Sequence, residues 1–165
     1  MTKYDLLCDL KAWLETITED REYVEDVQKG DTETVRRPPE IHRMRLPNSS
    51  HAKKYAPYII AQLINWIISQ PDGLRSEAKA TVRLIFCVQN ENEEEGALDL
   101  LNLMETVERE LLIEPFYGKP YYLDRKAGLE AIIYPDDTRP YYAGEIVGTF
   151  VLPETERNVT SWLRN

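Results

Sequence analysis

This 165-residue sequence has little sulfur and little imidazole: two cysteines and two histidines. Cys8 and Cys87 cannot build a structural zinc site without histidines at matching spacing, and His42 and His51 supply none. No glycine-rich phosphate loop, serine elbow, HExxH or CxxC occurs, so the usual signatures of nucleotide, acyl-transfer, zinc-protease and dithiol chemistry are missing. Long apolar runs are missing too. The longest, residues 56–68, is interrupted by Gln62 and Asn65 and is too short to span a bilayer. The N-terminal MTKYDLLCDLKAW carries acids inside its apolar run and does not read as a signal peptide. Positive charge is also scarce, with 20 basic against 29 acidic residues and a net charge of −9. Such a surface repels a nucleic-acid backbone unless its cations gather on one face. These absences predict an intracellular-type soluble protein of one domain, with no membrane span, cofactor, metal or specific nucleic-acid binding.

What is present is organised around residues 81–112. TVRLIFCVQ alternates, with Val82, Leu84, Phe86 and Val88 on one face, as a strand with at least one buried face does. An acidic turn, NENEEEG, follows. The period then becomes helical: Ala97, Leu100, Leu101, Met104, Val107 and Leu111 form an apolar stripe, with Asp99, Asn102, Glu105, Thr106 and Arg109 opposite. A strand leading into an amphipathic helix predicts an α+β domain whose sheet carries that helix on one face.

Before this unit, residues 4–17 read as a first helix with Leu6, Leu7, Leu10, Trp13, Leu14 and Ile17 on one stripe. Residues 1–18 are expected as an N-terminal helical appendage. Residues 19–47 read as a loose hairpin or edge region, turning at Lys29-Gly30-Asp31 and stopped by Pro38-Pro39. His42 reads there as a surface strand residue. Residues 57–68 are apolar almost all round in helical projection and read better as a strand buried on both faces. Gln70-Pro71-Asp72-Gly73 marks a turn, and residues 74–80 a mobile loop into the next strand, giving a hairpin with a long tip. Later strands are expected at 121–123, 129–134 and 143–152, so the sheet is mixed and mainly antiparallel. Residues 153–165 read as a polar C-terminal tail carrying Trp162 and Leu163, a candidate docking pair.

Three features invite a chemical reading. Glu91, Glu93, Glu94, Glu95 and Asp99 cluster, but Gly96 comes too late for a calcium loop and no distal glutamate follows. A solvated cap complementing a helix start accounts for them. Asp136-Asp137 after Pro135 is ordinary turn chemistry. Glu108 falls near the centre of the apolar arc, among Met104, Leu111 and Leu112. It must reach the rim, pair with a cation or face another subunit. Ten tyrosines, with pairs at Tyr121-Tyr122 and Tyr141-Tyr142, fit either a core rim or an interface.

Several strings resemble a family of small proteins from tailed phages and prophages: Leu46-Pro47-Asn48, APYII at 56–60, TVRLIF at 81–86, GALDLLNLME at 96–105 and IYPDDTRPYYAGE at 133–145. The likeness spans 46–157, and residues 65–79 depart from it in being longer and more apolar than the family's short turn. The family is that of head–tail joining proteins of long-tailed phages, most similar to tail terminators. The resemblance implies a structural, non-enzymatic subunit of a hexameric ring at the head-proximal end of the tail tube. Implied partners are the tail tube protein and the head connector or closure protein. The implied location is the host cytoplasm during assembly, then the virion neck. A head-closure or minor capsid role is the alternative. Glu108, Tyr141, Tyr142, Trp162 and Leu163 are then candidate interface residues. Glu91, Glu93, Glu94 and Glu95 form a candidate lumen-facing loop, since an acidic wall does not hold passing DNA. Further alternatives are a metal-dependent nuclease or hydrolase, which would use Glu91–Asp99 with Asp136-Asp137, and an acidic inhibitor or immunity-type binding module.

Overall fold

The computed structural model describes residues 2–25, 35–48, 55–69, 76–113, 116, 118–135 and 139–153. In chain order the elements are α1 (Lys3–Thr18), β1 (Tyr23–Val24), β2 (Arg36–Arg37), β3 (Glu40–Arg43), β4 (Tyr58–Ser69) and β5 (Glu77–Gln89). They continue with α2 (Glu93–Leu112), β6 (Tyr122–Leu123), β7 (Leu129–Ile133) and β8 (Tyr141–Leu152). β1 and β2 make a two-stranded ribbon, and the rest form a six-stranded sheet ordered β3-β4-β5-β8-β6. β7 lines up beside β6 along the same edge of β8. Only β3 and β4 run parallel. The class is α+β, as the change of period at residue 90 predicts.

Both helices lie on one sheet face. Thr2 and Asp5 close a capping box at the start of α1. Asn92 caps α2 by accepting from the Glu94 and Glu95 amides at 3.1 and 3.3 Å. Leu6, Leu10 and Leu14 of α1 share one core with Leu100, Leu103 and Val107 of α2 and with Ile59, Phe86 and Ile146 of the sheet. The first helix is therefore an integral layer, not an appendage. Its apolar stripe is removed from water against β3, β4 and α2. Phe116 stacks edge-on to Tyr121 and Phe150 and meets Trp13, closing this core beyond the end of α2.

Register explains two tight backbone approaches. A Cβ on Gly144 would lie 2.7 Å from Met104 Sδ and 2.8 Å from the Ile132 carbonyl, so α2 seats directly on β8 there. A Cβ on Gly96 would lie 2.2 Å from the Tyr142 ring. Gly96 is thus a packing glycine within α2 and does not close a turn.

Several expectations are corrected. β5 begins at Glu77, so 77–80 is strand where a loop was expected, because its partners Ile68 and Leu152 extend that far. β8 begins two residues earlier than expected, at Tyr141. On α2 the buried set includes Leu103 and Thr106, while Ala97 and Leu101 are exposed. Ile17 and Arg21, at and beyond the end of α1, line a groove with Thr106 on one flank of α2. The largest correction concerns β4. It is a strand, but only Ile59, Ile60 and Ala61 are buried, and everything from Ile64 to Ser69 is exposed. The turns expected at 29–31, 70–73 and 136–137 lie outside the described residues.

Candidate functional site

The outer half of β4 departs most from ordinary surface chemistry. Ile64, Trp66, Ile67 and Ile68 are 47, 54, 63 and 65% exposed, whereas Ile59 on the same strand is fully buried. The cause is local. β3 pairs with β4 only as far as Ala61. At Met44 the backbone turns left-handed, with φ 63°, after its amide donates to the Ala61 carbonyl at 2.8 Å. The chain then leaves the sheet. From Ile64 to Ser69 the outer edge of β4 has no strand beside it among the described residues. A register shift between Leu63 and Asn65 places Trp66 and Ile68 opposite Ala80 and Ala78. Each face of this arm therefore presents large apolar side chains to water. Monomeric proteins rarely leave such a patch uncovered, and a bare, apolar strand edge templates pairing with another chain.

Charges surround this edge. Lys3 Nζ stands 5.1 Å from the Trp66 ring centroid. The Arg43 guanidinium lies over the Tyr4 ring at 5.4 Å and donates to the Tyr4 hydroxyl and Cys8 Sγ. Tyr4, Lys11, Arg43 and Arg45 line a groove of ≈ 410 Å³ beside β3.

The open sheet face carries a polar relay that sequence inspection did not single out. Arg83 donates to Gln62 Oε1 at 2.6 Å and lies 3.5 Å from Glu145 Oε2. The Tyr134 hydroxyl donates to Glu145 Oε2 at 2.5 Å. Burial, reinforced by Glu145, pushes the Tyr134 phenol up to about 12. The relay links β4, β5, β8 and the end of β7. Arg83 and Glu145 were each visible as polar positions on alternating strands, but only the register Ile85↔Glu145 beside Arg83↔Val147 brings them diagonally together. Next to it, burial raises the Cys87 thiol to about 11, opposed by its hydrogen bond with Tyr58. Cys87 is thus a packed side chain, as its strand position predicts.

The residues singled out from sequence do not gather in one place. Glu91 lies in the bend before α2, but Glu93, Glu94 and Glu95 form the first turn of that helix, so the expected acidic loop is corrected to a helix start. Three consecutive helical residues project about 100° apart and do not converge. Glu93 pairs with Arg139 at 3.0 Å, and Asp99 accepts from Asn90 at 3.1 Å. Among the described residues, no group of three His, Cys, Asp or Glu side chains is placed to hold a metal ion. Glu108 is half-buried on the flank of α2 that faces away from α1, beside exposed Leu101, Glu105 and Leu112, and pairs with no described cation. Tyr141 and Tyr142 are half-buried residues of β8, with Tyr142 lying on Gly96. Trp162, Leu163, Asp136 and Asp137 lie outside the described residues. His42 is half-buried on β3 beside Glu40, and burial lowers its pKa.

A scan against protein-family models and a search of curated proteins find no match to this chain. No helix among the described residues is long and apolar enough to cross a membrane.

Proposed function

We propose that this chain is a self-assembling structural subunit of a tailed-phage neck, of the tail-terminator type. The observation that carries this reading is the uncovered outer half of β4. Among the described residues this strand has four large exposed apolar side chains and an outer edge with no strand beside it, an arrangement that is costly in water and favourable once another surface covers it. A ring of such subunits covers every copy of that edge. The resemblance of residues 46–157 to head–tail joining proteins supplies the biological setting, and the net charge of −9 suits a ring through which DNA passes. In this reading the ring caps the tail tube, ends its polymerisation and presents a surface to the head connector.

The test is electron microscopy of particles assembled without the protein and again after adding it back. Over-long tails that return to uniform length on addition support the terminator role. Normal tails beside heads that leak DNA assign the protein to head closure. Normal particles of both kinds overturn the proposal.

A further inference from the structure

Resting on that ring reading, we propose that the subunits join head to tail through the two opposite edges of the sheet. The β4–α1 edge of one copy receives the β7–α2 edge of the next. Three independent observations on the two edges match.

The first is backbone. The uncovered stretch of β4 runs from residue 64 to 69, and β7 is 5 residues long with β8 on one side and no described strand on the other. β8 runs antiparallel to β5, as β4 does, and β7 runs antiparallel to β8. A neighbouring copy in the same orientation, shifted along the strands, therefore offers β7 antiparallel to residues 64–69 of β4; the shift is needed because β7 stands level with residues 59–63 across β8 and β5. The sheet continues across the joint with a ladder of matching length.

The second is apolar area. Trp66, Ile67 and Ile68 are exposed on the first edge, and Ile132, Ile133 and Tyr134 on the second. The third is charge. On the β4–α1 edge Asp5 caps the start of its own helix, Asp9 holds Lys119 and Glu15 holds Lys11. Lys3, Arg43 and Arg45 have no carboxylate partner among the described residues. On the β7–α2 edge Arg125 donates to the Leu112 carbonyl, while Arg109 and Glu110 pair with each other on the flank of α2 that faces Ile17 and Arg21. Glu105, Glu108 and Glu130 have no cation partner among the described residues. One edge is thus apolar with spare positive charge, and the other apolar with spare negative charge. Two copies of the same edge repel, so a two-fold dimer through either is disfavoured, while a heterologous joint attracts. Glu108, half-buried on the flank of α2, becomes an interface charge.

Charge reversal tests the joint on the full chain by light scattering. Arg43→Glu/Arg45→Glu makes both edges acidic, and Glu105→Lys/Glu108→Lys makes both edges basic. Each variant alone is expected to fall from the wild-type assembly mass to the 19.3 kDa subunit. An equimolar mixture is expected to regain the wild-type mass, because every joint in it again meets opposite charges. Far-ultraviolet circular dichroism checks folding. Should a double variant lose structure, Ile67→Lys on the exposed arm replaces it and is expected to dissociate the assembly alone. Variants that keep the wild-type mass overturn these edges as the joint while leaving the ring standing. Loss of assembly without recovery on mixing overturns their pairing with each other. A wild-type chain of 19.3 kDa at every concentration, with or without tail tubes, overturns the ring reading itself.

Discussion

β4 contains two halves of nearly equal hydrophobicity and opposite fate. Tyr58 to Ala61 lies between β3 and β5 beneath α1 and contributes Ile59, Ile60 and Ala61 to the interior. Among the described residues, Ile64 to Ser69 has a strand beside it on one side only, β5, and is exposed. Composition does not separate them. The difference lies in what neighbours each half: β3 leaves the sheet at Met44, and α1 begins at Lys3, against Trp66. Apolar sequence shows that a segment needs cover, and neighbouring elements decide whether its own chain supplies it.

Breaking that comparison begins in the buried half. Ile59→Ala should destabilise the subunit by about 3 kcal/mol, through lost transfer energy and the cavity left behind. Urea unfolding measures it, and a loss under about 1 kcal/mol would show that this half is not core. Next comes Gly144→Ala, where the new Cβ meets the Ile132 carbonyl and Met104 Sδ. Forcing α2 off β8 should cost about 2 kcal/mol, and an unchanged melting temperature would refute the close seating.

A smaller effect concerns the joint between arm and body. Lys79, opposite Ile67 on the arm, donates to Asp124 Oδ2 at 2.9 Å, and this bond holds the Asp124 carboxyl below its ordinary 3.8. A carboxyl with a depressed folded pKa adds stability above its unfolded value, and that stability is lost as pH falls through the folded value. The difference in urea midpoint between wild type and Asp124→Asn should be constant at neutral pH. It should shrink once pH drops below 3.8. A difference that instead grows on acidification would reverse the assignment. The smallest effect is expected in the exposed half: Ile67→Ala should change subunit stability by no more than about 0.5 kcal/mol. It should nevertheless weaken self-association at the same protein concentration. Equal losses of stability from Ile59→Ala and Ile67→Ala would erase the contrast between the halves.

Much of the architecture was legible before any coordinates. The helical stripe of residues 4–17, the two-residue period of 81–89 and the return to helical period after Asn92 each report a local geometry and a buried side. The site was less legible. Periodicity carries no information about which strand stands next to which, so the relay of Gln62, Arg83, Glu145 and Tyr134 was hidden. Nor does it say where a strand partner stops, so residues 64–68 were read as interior. Glu93, Glu94 and Glu95 suggested a loop because acids and a following glycine are common in turns. The Asn92 cap and the Tyr142 ring against Gly96 place them in a helix instead.

Most strand and helix segments and the acidic net charge are already specified in the amino-acid order. Those properties depend on side-chain type and spacing along the chain. Only the tertiary structure decided that α1 is a core layer, that Glu108 sits on the flank of α2 away from α1, and that β4 is half sheltered and half bare. Each depends on contacts between residues far apart in sequence, which local pattern does not encode.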